Sequence, residues 1–111
     1  MAVVELRPAF EAAVKARIEW LAENAPAESW LDNFVAALHT LRRDIALLPE
    51  AAPPLKEDAR IIVRLRRFPS GLPYVVYYAH LRASPVKTVY LTHLFHERQR
   101  RQRVDVRDWP W

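Results

Sequence analysis

Arginine, tyrosine and histidine recur through the second half of this chain at spacings that could grip an anion or move a proton. Arg64 and Arg66 lie two apart in ARIIVRLRRF, Tyr78 and His80 two apart in YVVYYAHL, and HERQRRQR brings His96, Arg98, Gln99, Arg100 and Arg101. A guanidinium binds phosphate or carboxylate through charge-assisted hydrogen bonds, and an imidazole exchanges protons near neutral pH. Side chains alternate along a strand. Arg60, Ile62, Arg64, Arg66 and Phe68 therefore share one face, opposite Ile61, Val63, Leu65 and Arg67, and the second set is the natural core face. Tyr74, Val76, Tyr78 and His80 share a face of the next strand. Val89, Leu91, His93 and Phe95 share a face of the last one, opposite Tyr90, Thr92, Leu94 and His96. One open sheet face is thus expected to collect Arg64, Arg66, Tyr78, His80 and His96, a mixture that suits a phosphate or an acidic helix. The plain alternative is the solvated face that any antiparallel sheet presents.

Other chemistries lack their residues. The chain has no cysteine, so there is no disulfide framework, thiolate ligand or thiol nucleophile. His93 and His96 are three apart on a strand and point to opposite faces, a poor pair for one metal ion. No metal and no cofactor is expected. Ser29, Ser70 and Ser84 sit in no nucleophile-elbow pattern, and no glycine-rich loop cradles a phosphate. His39 reads as a partly exposed structural residue, and Trp20 and Trp30 as core or hairpin packing. Trp109 and Trp111 read as packing of the chain end, or as exposed anchors for a partner.

The elements that must position these residues follow from periodicity. Ala2–Arg7 is short and β-branched and reads as a first strand. Phe10, Val14, Ile18 and Leu21 form the stripe of a helix over Ala9–Asn24, which ends where Asn24-Ala25-Pro26 disfavours helical backbone. A second helix is expected from about Ala27 to Leu48, with Trp30 or Leu31, Phe34, Leu38, Leu41, Ile45 and Leu48 on its buried stripe. The short break makes the pair an antiparallel hairpin. Pro49, Pro53 and Pro54 read as a stiff connector. Three strands follow, over Ala59–Phe68, Tyr74–Leu81 and Val86–Phe95. The first two join through PSGLP, whose Gly71 is the one glycine of the chain and adopts positive φ without steric cost. The expected class is α+β in two layers, with an N-terminal strand and a helical hairpin packed on an antiparallel sheet in the order β-α-α-β-β-β.

A length of 111 residues with 51% hydrophobic composition is enough for one compact domain with a real core. That domain is expected to span 1–111, with a basic tail from about residue 97. The N-terminus reads as no signal peptide, and no run reaches the roughly 18 apolar residues of a membrane span; a cytoplasmic protein is expected. The net charge of +4 hides a split: residues 1–59 hold 6 Lys/Arg against 10 Asp/Glu, and residues 60–111 hold 11 against 3. The basic half is where a polyanion or an acidic protein would dock.

Over roughly Val3 to Gln99, this order of elements and three local motifs resemble the RelE/ParE superfamily of bacterial type II toxins, with the ParE branch nearer. The motifs are LPEAAPPL at the end of the hairpin, LRRFPSGLPYVVYYAH around a Ser-Gly turn, and VYLTHLFHERQ, with a His-x-x-Gln ending at His96 and Gln99. Departures are Ala51 in place of the family's usual glycine, Ala79 where many relatives have arginine after the tyrosine, His93 where many have arginine, and Tyr74 where the messenger-cleaving branch has a basic residue. The resemblance implies a toxin that binds and stalls DNA gyrase without catalysis and is neutralised by a cognate antitoxin in a hetero-oligomer. Arg64, Arg66, Tyr78, His96, Arg98, Gln99, Arg100 and Arg101 would contact the target. Its alternative implication is a ribosome-dependent endoribonuclease acting on mRNA, with His96 handling a proton and Arg64, Arg66 and Arg98 stabilising the phosphate. A third is a degenerate, non-toxic partner-binding module.

Overall fold

In a computed structural model, which describes residues 1–24, 27–99 and 103–109, the elements run β1 (Val3–Leu6), α1 (Pro8–Asn24), α2 (Glu28–Leu47), β2 (Pro54–Glu57), β3 (Ile61–Arg67), β4 (Tyr74–Leu81) and β5 (Thr88–His96), followed by a single 3-10 turn at Val106–Asp108. The class is α+β: an N-terminal strand, two helices, then four strands that complete a five-stranded sheet. The order across the sheet is β1-β5-β4-β3-β2. Neighbours from β5 to β2 are antiparallel, whereas β1 lies parallel to β5, with Val3 opposite Thr88 and Leu6 opposite Leu91. The sheet is therefore mixed.

Local chemistry sets the boundaries. Pro8 occupies the first turn of α1, where its missing N–H has no helical partner to lose. Asn24 closes the helix by donating from Nδ2 to the Trp20 carbonyl at 3.0 Å. Ala25 and Pro26, expected to break the hairpin, lie outside the described residues. In the β3–β4 turn Ser70 and Gly71 both have positive φ, 63° and 70°. Only the second of these was legible from residue type.

Pro53 and Pro54 do not act only as a connector. Pro54 begins β2, an exposed edge strand paired with β3, so the sheet has one strand more than the hydrophobic pattern predicted. Edge strands tolerate proline because one side of their backbone lacks a partner. Asp58 turns the chain into β3 by accepting backbone N–H bonds from Arg60 and Ile61, both at 2.7 Å. These bonds hold its carboxyl below the usual aspartate range.

Both faces of the sheet are covered, and the expected assignment of faces is reversed. Phe10, Leu21, Phe34, Leu41 and Ile45 of the helices pack on Tyr74, Val76, Tyr78, Leu91 and Leu94. This is the face expected to be open, the one that carries Arg64, Arg66, Tyr78, His80 and His96. Ile61, Val63, Val75, Tyr77, Ala79 and Phe95, expected beneath the helices, are instead covered by Val104, Val106 and Trp109 of the C-terminal segment. Arg60 fastens that segment by donating to the Val106 carbonyl at 3.2 Å, and Trp109 stands edge-on to Tyr90.

A bulge also shifts parity on β5. Tyr77 pairs with His93 but Tyr78 pairs with Leu91, so Thr92 is the extra residue. Its hydroxyl donates to the Tyr77 carbonyl at 3.1 Å, and His93 Nδ1 lies 2.9 Å from the Thr92 hydroxyl oxygen. Leu91, Leu94 and His96 consequently face the helices, while Tyr90, His93 and Phe95 face the C-terminal segment.

Candidate functional site

Helix packing over the basic face decides which of its side chains remain available. Arg64 is only 8% exposed. Its Nε donates to His80 Nε2 at 3.0 Å, and its Nη1 donates to the carbonyls of Ala52 at 2.7 Å and Glu50 at 3.3 Å. His80 Nδ1 in turn lies 2.8 Å from the Leu81 carbonyl, so this nitrogen carries the proton and Nε2 accepts. Tyr78 is fully buried, and its hydroxyl donates to the Pro49 carbonyl at 2.8 Å. Burial also pushes the Tyr78 phenol up from its ordinary value. Arg64, Tyr78 and His80 thus clamp the 49–52 turn onto the sheet. Their expected exposure on an open face is corrected: all three are buried, Tyr78 among the residues packed by the helices and Arg64 against the carbonyls of this turn. Arg66 is partly exposed and lies 3.8 Å from the Asp44 carboxylate on α2.

Burial pushes the imidazoles of both His80 and His93 below their ordinary value, and the Arg64 guanidinium adds to the effect at His80. The unfolded chain takes up protons at these residues as pH falls through about 6.5, while the folded chain resists. Stability is then expected to rise with pH across that value and to be lost as pH falls below it. Urea midpoints measured from pH 7.5 down to pH 5 should decrease, and His93→Gln should flatten the profile. A profile unchanged by that replacement excludes His93 as a contributor.

His96 has a different setting. It ends β5 opposite Tyr74, whose ring it meets edge-on at 5.6 Å. The turn after it is closed from both directions. His96 N–H donates to Gln99 Oε1 at 3.2 Å, Gln99 N–H donates to the His96 carbonyl at 2.9 Å, and Arg98 N–H donates to His96 Nδ1 at 3.2 Å. This reciprocal bonding gives His-x-x-Gln a structural reason: the glutamine caps the strand end. With Nδ1 accepting, the neutral ring carries its proton on Nε2. Arg98 and Gln99 are exposed. Arg100 and Arg101 lie outside the described residues.

Around His96 the structure assembles residues of α1 and α2 that the sequence placed elsewhere. Arg17 lies over the rings of Trp20 and Tyr74, 5.1 and 5.5 Å from their centroids. Two adjoining depressions share Arg17, Trp20, Tyr74 and His96 as a common wall. One, of about 320 Å³, adds Leu94 and Gln99. The other, of about 340 Å³, adds Trp30, Phe34 and Leu72. Trp20 and Trp30 are 48% and 50% exposed, which removes the core alternative from their reading as core or hairpin packing. The spacing of the helices could not show that this end of the hairpin meets the start of β4 and the end of β5; Trp20, outside the expected stripe of α1, was the available signal.

The site residues therefore separate into two places. His96, Arg98 and Gln99 stand beside the aromatic cleft. Arg64 stands opposite Tyr78, two strands across and four residues along from His96, a backbone separation on the order of 15 Å from strand spacing and rise. Among the described residues no cluster of three or more histidine, cysteine or acidic side chains is placed to hold a metal ion, and no helix is long and apolar enough to cross a membrane. Compared with models of known protein families the chain matches none, and it matches no curated protein.

Proposed function

We propose that the chain is the toxin component of a RelE/ParE-like bacterial type II toxin–antitoxin system and acts by binding its target, DNA gyrase, rather than by cleaving RNA. The observation that carries the preference for binding is the dispersal of the cations. A ribonuclease of the alternative kind needs His96, Arg64, Arg66 and Arg98 around one phosphate. Arg64 instead spends its donors on His80 and two backbone carbonyls, and Arg66 faces Asp44. A binding surface has no such need for convergence. His96, Arg98 and Gln99 at the end of β5 are its described core, and the basic sequence that follows extends it. An acidic antitoxin segment complements the positive second half.

The endoribonuclease reading keeps one specific support: Arg98 N–H fixes the orientation of the His96 ring through Nδ1, at the edge of a depression. Inducible expression in a bacterium, with pulse labelling of new DNA and protein, separates the readings. DNA synthesis stopping first supports the gyrase inhibitor. Protein synthesis stopping first, together with a loss of toxicity on the order of a hundredfold or more in His96→Ala, supports the ribonuclease. On the binding reading His96→Ala is expected to weaken toxicity by no more than about tenfold, the size of one peripheral contact. No growth defect and no binding to gyrase would leave the non-toxic binding module.

A further inference from the structure

The cleft between the helical hairpin and the His96 end of β5 shares His96 and Gln99 with the proposed target contact, but its tryptophans and Arg17 lie outside that contact. Two half-exposed indoles, Trp20 and Trp30, flank an apolar depression floored by Phe34 and Leu72. Next to it, a more polar depression offers Arg17, His96 and Gln99. At about 320 and 340 Å³ each is at the small end of ligand pockets, which run from about 300 to 1,000 Å³. Each has room for one side chain rather than for a large cofactor.

We infer that this double depression is a docking site for a short protein segment that carries a large apolar anchor next to a carboxylate. The anchor enters between Trp20 and Trp30, and the carboxylate meets Arg17 and the His96 edge. Aromatic residues and arginine are the types that concentrate binding energy at protein interfaces. Arg17 is preorganised for this by stacking on Trp20 and Tyr74, because a cation over a ring is fixed in place while its N–H edge remains available.

Charge decides between a protein segment and the other polymer that stacks on tryptophan, a single-stranded nucleic acid. The same end of the hairpin carries Glu19, Glu23, Glu28 and Asp32, all exposed. A polyanion laid across it meets repulsion along its length, since phosphate contacts supply most of nucleic-acid affinity. A segment with a single carboxylate, paired with Arg17, meets far less of it. The inference rests on the cleft alone and stands whether or not the toxin reading holds.

The test is selection of short random displayed peptides on the immobilised full chain, with an oligouridylate as the rival probe. Enriched peptides are expected to share a leucine, phenylalanine or tryptophan beside an aspartate or glutamate. Binding of a selected peptide should weaken by about tenfold in Arg17→Gln and by about thirtyfold in Trp30→Ala, while Lys15→Gln, exposed elsewhere on α1, binds like the parent. In the unaltered protein the indole N–H resonances of Trp20 and Trp30 should shift on titration, and that of Trp109, under the opposite face of the sheet, should not. The proposal is overturned if no peptide is enriched, if enriched peptides lack the acidic residue, if Trp20 and Trp30 do not respond, or if oligouridylate binds the cleft in place of peptide.

Discussion

Arg64→Ala is expected to lower the unfolding free energy by about 3 kcal/mol, the cost of removing a buried, multiply bonded charged donor and stranding its partners. The guanidinium reaches His80, Ala52 and Glu50 from a buried site beside the 49–52 turn. Without it, His80 Nε2 and the Ala52 carbonyl lose their protein donor. Tyr78→Phe, which deletes only the hydroxyl bond to Pro49, should cost about 1 kcal/mol. Arg66→Ala should cost less still, within about 1 kcal/mol, because its partly exposed partner Asp44 is 3.8 Å away. Urea unfolding followed by circular dichroism ranks the three. If Arg64→Ala is no more harmful than Arg66→Ala, the clamp is not a stabilising feature, and Arg64 becomes available again as a ligand for the target.

Phe34→Ala is the second large effect, about 3–5 kcal/mol for truncating a buried phenylalanine. The ring is 1% exposed, stacked on Phe68 at 5.5 Å and edge-on to Tyr74 at 5.1 Å. It ties α2 to both ends of the β3–β4 turn and forms the floor of the apolar depression. Two readouts should therefore move together: the urea midpoint falls, and the cleft loses the rigid wall behind Tyr74. Phe34→Leu, which retains most of the volume, should recover much of the stability but not the ring contacts. Equal loss in both variants would mean that packing volume contributes little and the aromatic geometry dominates.

The elements were legible in the sequence to the extent that their periods differ. The helices stop within a residue or two of where Leu48 and Asn24 suggested, and β3, β4 and β5 follow their β-branched runs. The assignment of faces was not legible. Both sides of β3 and β4 are apolar enough to be buried, and alternation cannot say whether helices or the C-terminal segment cover a given side. The Thr92 bulge then moved Tyr90 and Thr92 out of the phase expected from His96. Arg64 was read as exposed because its partners are mainly backbone carbonyls of residues 50 and 52, and a carbonyl has no signature in residue type. His96 and Gln99 could be paired by spacing. Arg17 and Tyr74 could not, because they are distant in the chain and meet only after α1 lies across the end of β5.

The parallel seam between β1 and β5 also orders events in time. Val3 cannot find Thr88 until the 84 residues between them have been made, and such distant pairings are slow to form. The helical hairpin can form early from local contacts. The surface that faces β5 must wait, and with it the Tyr74–His96 edge and everything built around it. A nascent chain is thus expected to lack the cleft beside His96 until β5 is released.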